Sequence, residues 1–277
     1  MRTRRATSVF VACTAAFLAA CSPVRGGEEP SFSALSYKNL IPNESYSPAT
    51  APLAPGTALD LSGDEPQPGA YFNYQSCTAA WSFTLADART IAVTASHCGK
   101  PGDKVWAGTA DGDFSYPAEP IGEVIYSDFY AEDSHDLDVA FIEITGSADY
   151  YVTGAVDNSI ATSLAHLPLH VCKLGRVTDE TCGTLIHGAA MAQLNSGGLQ
   201  RDSIAARARV CSTNGDSGGP VYGEVEGKQT ILGVVSGTTQ RLEEGHTCET
   251  TQTDMELSFT LATDIQLLAK EVLGPVA

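Results

Sequence analysis

Beyond its first twenty residues the chain lacks any apolar run long enough to cross a bilayer, which takes about 20 residues of helix. It is short of positive charge: 16 Lys and Arg stand against 33 Asp and Glu, a formal net charge of −17. Binding nucleic acid depends on neutralising phosphates, so no nucleic-acid partner is expected. The eight cysteines contain no Cys-x-x-Cys spacing, which argues against a structural zinc site. No metal or cofactor is expected, and no internal repeat stands out. What is present is 277 residues, 43% hydrophobic and 18% charged, enough for one large domain or two small ones with a sizeable core.

The start of the chain carries an export pattern. Arg2, Arg4 and Arg5 form a basic cluster, and an apolar stretch runs from Ala6 to Ala20, short for a membrane span and typical of a signal peptide over residues 1–20. Its end, Leu18-Ala19-Ala20-Cys21, resembles a bacterial lipoprotein signal-peptidase site. By that resemblance Cys21 becomes lipidated and anchors the protein to the outer face of the cell membrane; an ordinary secretory signal is the alternative. Residues 22–68 hold eight of the fourteen prolines, so 21–68 reads as a flexible leader, either a tether reaching ~40 Å or a propeptide. Export implies an oxidising compartment. Apart from Cys13 and Cys21, six cysteines remain: Cys77, Cys98, Cys172, Cys182, Cys211 and Cys248. An even number in that setting reads as disulfides.

From about residue 70 the composition turns β-rich. The runs AAWSFTL, TIAVTA, DKVWAG, IGEVIY, DVAFIEI and TILGVVSG are separated by Gly-, Asp- and Asn-containing breaks, the pattern of an all-β barrel or sandwich. Only the tail ATDIQLLAKEVLG has helical periodicity: Ile265, Leu267, Leu268 and Val272 share a face and Gly274 follows.

Three stretches carry chemistry. TIAVTASHCGK places His97 at the end of a β-rich run, HDLDVAFIEI places Asp138 at the start of another, and CSTNGDSGGP surrounds Ser217 with glycines. A serine hydroxyl needs an adjacent base to attack a carbonyl. Histidine can take that proton and return it, and a carboxylate fixes the imidazole. The order His, Asp, Ser with these flanks resembles the chymotrypsin-like (trypsin-fold) serine peptidases, over roughly residues 70–275. Asp136 competes with Asp138; the apolar run directly after Asp138 favours the latter, and His135 reads as a loop residue.

The resemblance implies two six-stranded antiparallel β-barrels with a C-terminal helix, spanning residues 69–277. It implies a serine endopeptidase with the triad His97, Asp138 and Ser217, and an oxyanion held by the N–H groups of Gly215 and Ser217. Cys77 would pair with Cys98, Cys172 with Cys182 and Cys211 with Cys248. Three residues between Cys211 and Gly215, the segment VCKLGRVTDETCGTL and the lack of an Ile- or Val-Gly-Gly activation site resemble the bacterial branch. There, a basic residue at the position of Lys173 would neutralise Asp216. In ILGVVSGTT, Ser236 would support the catalytic aspartate while Ser236, Gly237 and Thr238 bind substrate. Arg209 and Val210 would lie near the pocket base, with small or medium apolar side chains favoured. The expected partner is a protein or peptide substrate, and the expected state is a monomer. Two alternatives use the same residues: a catalytically silent adhesion or sensor lipoprotein, and an esterase.

Overall fold

The computed structural model describes residues 53–109, 111–114, 116, 118–163, 167–196, 198–239, 248 and 255–276. The signal peptide, Cys21 and the leader up to residue 52 lie outside them.

Seven antiparallel strands form the first sheet: β1 (Ala58–Ser62), β2 (Gln75–Thr78), β3 (Trp81–Thr84), β4 (Thr90–Thr94), β5 (Lys104–Ala107), β6 (Gly122–Ser127) and β7 (Ala140–Ile144), ordered β2-β1-β5-β6-β7-β4-β3. Six more close into a barrel: β8 (His170–Gly175), β9 (Asp179–Ser196), β10 (Leu199–Arg209), β11 (Pro220–Val225), β12 (Lys228–Thr238) and β13 (Leu257–Leu261), ordered β10-β13-β12-β11-β8-β9. One α-helix, α1 (Ala262–Leu273), follows. The chain has the expected chymotrypsin-like fold, with one closed six-stranded barrel, one half-barrel sheet and a C-terminal helix; the half-barrel counts seven strands because of Ala79 and Ala80. Ala79 N–H donates to Thr57 O and Ala80 N–H to Val93 O, so the chain changes partner there and one bent strand becomes the two edges of the sheet.

The folded region also begins before residue 69. All five residues of β1 are buried, Leu53 is fully buried, and β1 pairs with both β2 and β5. Large apolar side chains fill the core, among them Trp81, Phe83, Phe141 and Phe259. In α1, Ile265, Leu268 and Ala269 join that core, while Leu267 and Val272 are only half-buried. Buried Gln266 instead donates from Nε2 to Ala161 O at 2.8 Å. Gly274, at φ 90°, ends the helix, a conformation glycine adopts without strain. Three disulfides join Cys77–Cys98, Cys172–Cys182 and Cys211–Cys248, the pairing the resemblance implies.

Candidate active site

His97 sits in a one-turn 3-10 helix, Ser96–Cys98, just after β4, and Asp138 lies two residues before β7. Because β4 and β7 pair side by side, their ends bring the two residues together. His97 Nδ1–H donates to Asp138 Oδ2 at 2.8 Å, which leaves Nε2 as the basic nitrogen. Asp138 is fully buried and receives three further hydrogen bonds. Ser96 Oγ and His97 N donate to Oδ1 at 2.7 and 3.1 Å, and Ser236 Oγ donates to Oδ2 at 2.5 Å. Ser236 reaches it from a bulge: Val235 pairs with Phe259 and Gly237 with Ser258, so Ser236 is the extra residue. Such a bulge re-aims a side chain.

These contacts set the protonation. Burial pushes the Asp138 carboxyl up, but His97, Ser236 and Ser96 outweigh it and hold the pKa below 3.8. Burial pushes the His97 imidazole down, and Asp138 more than reverses this, raising it above 6.5. Asp136 occupies a left-handed turn at φ 57° and accepts from Ile204 N. His135 Nδ1 faces Asp128 at 3.2 Å, and its Nε2 lies 3.4 Å from Glu271. Neither residue joins the pair.

Ser217 and His97 line one cleft of about 470 Å³. Among the described residues no hydrogen bond joins the Ser217 hydroxyl to the imidazole; in unliganded sites this bond is often long and tightens around substrate. The glycines around Ser217 have a physical cause. A Cβ on Gly218, at φ 85°, would lie 2.0 Å from Thr94 Oγ1 and 2.3 Å from Thr78 O; one on Gly219 would lie 2.0 Å from Leu174 O. The loop is pressed against β2, β4 and β8 with no room for a side chain. Thr78 N–H donates to Ser217 O at 2.8 Å, and Thr78 Oγ1 to Gly215 O at 2.9 Å. Among the described residues, neither the Gly215 N–H nor the Ser217 N–H has a protein acceptor. Unpaired backbone donors beside a nucleophile are what an oxyanion pocket requires.

Asp216, between them, points inward and is fully buried. Lys173 Nζ lies 3.2 Å from its Oδ2 and is itself fully buried. Lys173 also donates to Thr178 Oγ1 and to Asp179 O. Burial pulls the Lys173 pKa below 10.5, with Asp216 opposing. Gly175 makes room for the carboxylate: a Cβ there would lie 2.3 Å from Asp216 Oδ1.

Ser236, Gly237 and Thr238 line the cleft. Arg209 and Val210 do not. Strand alternation turns Arg209 to solvent and buries Val210 in the barrel core. The cleft wall is not apolar either, since Ser203, Ser212, Thr213 and Ser258 add hydroxyls. Ala192 to Ser196, at the tip of the β9–β10 hairpin, also line the cleft. Gln75, His97 and Ser196 also border a second hollow of about 490 Å³, which includes Lys100 and Tyr130. Sequence reasoning did not anticipate this hairpin; its one signal is the turn-forming run Asn195-Ser196-Gly197-Gly198. The close group His170, Cys172 and Cys182 offers no metal site, because its two cysteines are bonded to each other.

Solved structures of several proteases are similar to this chain. A glutamic acid specific serine protease, described as using a histidine triad in substrate binding, is 20% identical, with a TM-score of 0.51 over 81% of this chain and 100% of its own. Thermobifida fusca protease A is 20% identical over 79% of this chain and 94% of its own, TM-score 0.48. A Nocardiopsis protease is 21% identical over 78% and 95%, TM-score 0.48. No curated protein matches. The Trypsin family profile matches residues 62–252, and the chain belongs to that family of serine proteases.

Proposed function

We propose that this protein is an exported serine endopeptidase of the bacterial branch, cutting peptide bonds through an acyl-enzyme on Ser217. His97 takes the Ser217 proton at Nε2 as the hydroxyl attacks the carbonyl, and then delivers it to the leaving amine. Asp138 holds the ring and stabilises its charged form. The N–H groups of Gly215 and Ser217 receive the negative charge that develops on the carbonyl oxygen. One observation carries the reading: a buried, four-fold hydrogen-bonded Asp138 on His97, in one cleft with a serine whose own backbone N–H and that of Gly215 are unpartnered among the described residues. A silent binding module would have no need of that arrangement.

Lys173 stands as the fixed countercharge of Asp216 without a newly cut N-terminus. The three disulfides support an oxidising, extracytoplasmic setting, and no described helix is long and apolar enough to cross a membrane. Membrane attachment through Cys21 and a tether role for residues 21–52 are part of the same proposal.

The test is a fluorophosphonate probe with a peptide library. Wild type is expected to label once, at Ser217, and to cut peptides, and Ser217→Ala to do neither. Loss of kcat for such a change is about 10⁶-fold where the triad operates. No labelling of folded protein would overturn the enzyme assignment; labelling with ester but no peptide hydrolysis would favour an esterase.

A further inference from the structure

The loop presenting Gly215 and Ser217 is held from outside the cleft, and one of its holding points leads back to β1. Arg176 opens the turn between β8 and β9. Its side chain leaves the barrel and enters the first sheet. Nη1 donates to Asp60 Oδ1 at 2.5 Å and to Leu59 O at 2.9 Å, and Nη2 donates to Thr109 O at 2.7 Å. Arg176 and Asp60 are 2% and 1% exposed. Gly108 leaves the slot: a Cβ there would lie 2.7 Å from Nη1 and 2.9 Å from Cζ. A buried guanidinium needs a countercharge and acceptors for its fork of N–H groups; β1 supplies the countercharge and one carbonyl, and the segment after β5 supplies the other.

The same turn touches the catalytic loop directly. Val177 N and Thr178 N donate to Asp216 Oδ1 at 3.0 and 3.1 Å, and Thr178 Oγ1 donates to Oδ2 at 2.5 Å. Arg176 N donates to Thr78 Oγ1 at 3.1 Å, the hydroxyl that donates onward to Gly215 O. A Cβ on Gly215 would lie 2.6 Å from Val177 Cγ2. Turn and loop are in van der Waals contact.

We propose that Asp60 and Arg176 form a positioning pair for the oxyanion pocket. Asp60 fixes the turn 176–178, and the turn fixes Asp216 and thereby the direction of the Gly215 and Ser217 N–H groups. Neither residue lines the cleft, so neither is catalytic. The segment carrying β1 is then part of the catalytic apparatus, although it lies in what the sequence marks as leader. This rests on the peptidase reading above.

Asp60→Asn in the full chain tests it. Its kcat is expected to fall about 10- to 100-fold, a fraction of the 10²–10³ seen when one oxyanion donor is lost, with KM changed less than about twofold. Affinity for a peptide boronic acid, which uses the oxyanion pocket, should fall in parallel, while a non-covalent product peptide binds as before. The double variant Asp60→Asn/Arg176→Met strands no charge. It should unfold near the wild-type midpoint and still show the low kcat. Wild-type kcat and boronate affinity in either variant overturn the proposal, as does a loss confined to KM. If wild type itself neither labels nor cleaves, the peptidase reading has failed instead, and the two failures are told apart.

Discussion

Replacing Lys173 by methionine keeps the volume of the side chain and removes its charge from a fully buried site. At 3.2 Å from Asp216, the lost attraction is about 5 kcal/mol for an effective dielectric near 20. Asp216 is not left bare. It keeps hydrogen bonds from Val177 N, Thr178 N, Thr178 Oγ1, Ser212 Oγ and Thr213 N. Breaking a buried pair by removing one partner typically costs 3–5 kcal/mol, and the five remaining donors put this case near the lower end, about 3 kcal/mol. Against a total stability of roughly 5–15 kcal/mol, such a loss is readily measured by urea unfolding. A change in midpoint with an unchanged slope identifies lost stability. The active fraction, titrated with a fluorophosphonate, should fall with it, because Asp216 lies between the two proposed oxyanion donors. Lys173→Met/Asp216→Asn should be more stable than the single variant, since it strands no charge. A single variant within about 0.5 kcal/mol of wild type, with unaltered kcat, would refute the reasoning.

Four further outcomes are expected. With the His97 pKa raised above 6.5 by Asp138, the acid limb of kcat/KM should have its midpoint above pH 6.5, and Asp138→Asn should move it down. The same pair stabilises the fold fully below pH 6.5 and loses that contribution as pH rises through the folded His97 pKa, so urea midpoints followed across this window should show the opposite trend to activity. Ser203 Oγ is buried without a partner and lines a cleft that holds no Asp, Glu, Lys or Arg among its described residues; a positional library should show a preference for carboxamide or hydroxyl side chains at one position. Ser203→Ala should weaken that preference about tenfold, and a preference for basic residues would contradict it. Gly218→Ala, meeting Thr94 Oγ1 at 2.0 Å in a left-handed conformation, should abolish activity and lower the unfolding midpoint, as measured on the same samples.

What could be read in the sequence depended on whether the cause was local. Ser217 announces itself because close backbone approach admits only glycine at Gly218 and Gly219. His97 and Asp138 lie at strand ends whose apolar runs are continuous. By contrast, β1 was hidden among Pro52, Pro55, Pro66 and Pro68, and its Asp60 looks like a solvent residue until Arg176, more than a hundred residues later, is seen to neutralise it. Arg209 and Val210, expected near the pocket base, lie elsewhere because strand alternation at the end of β10 turns Arg209 to solvent and Val210 into the barrel core. The split at Ala79-Ala80 depends on which neighbours the chain meets, and no local preference encodes it.

The imidazole and its carboxylate hang from the seven-stranded sheet, whereas the hydroxyl and Ser236 belong to the barrel. Turnover therefore gauges how well the two halves are seated on each other. A slip of about an ångström, enough to cost some 10²-fold in rate, would silence the enzyme while circular dichroism still reported every strand in place. Mild denaturant should extinguish hydrolysis before it melts either half.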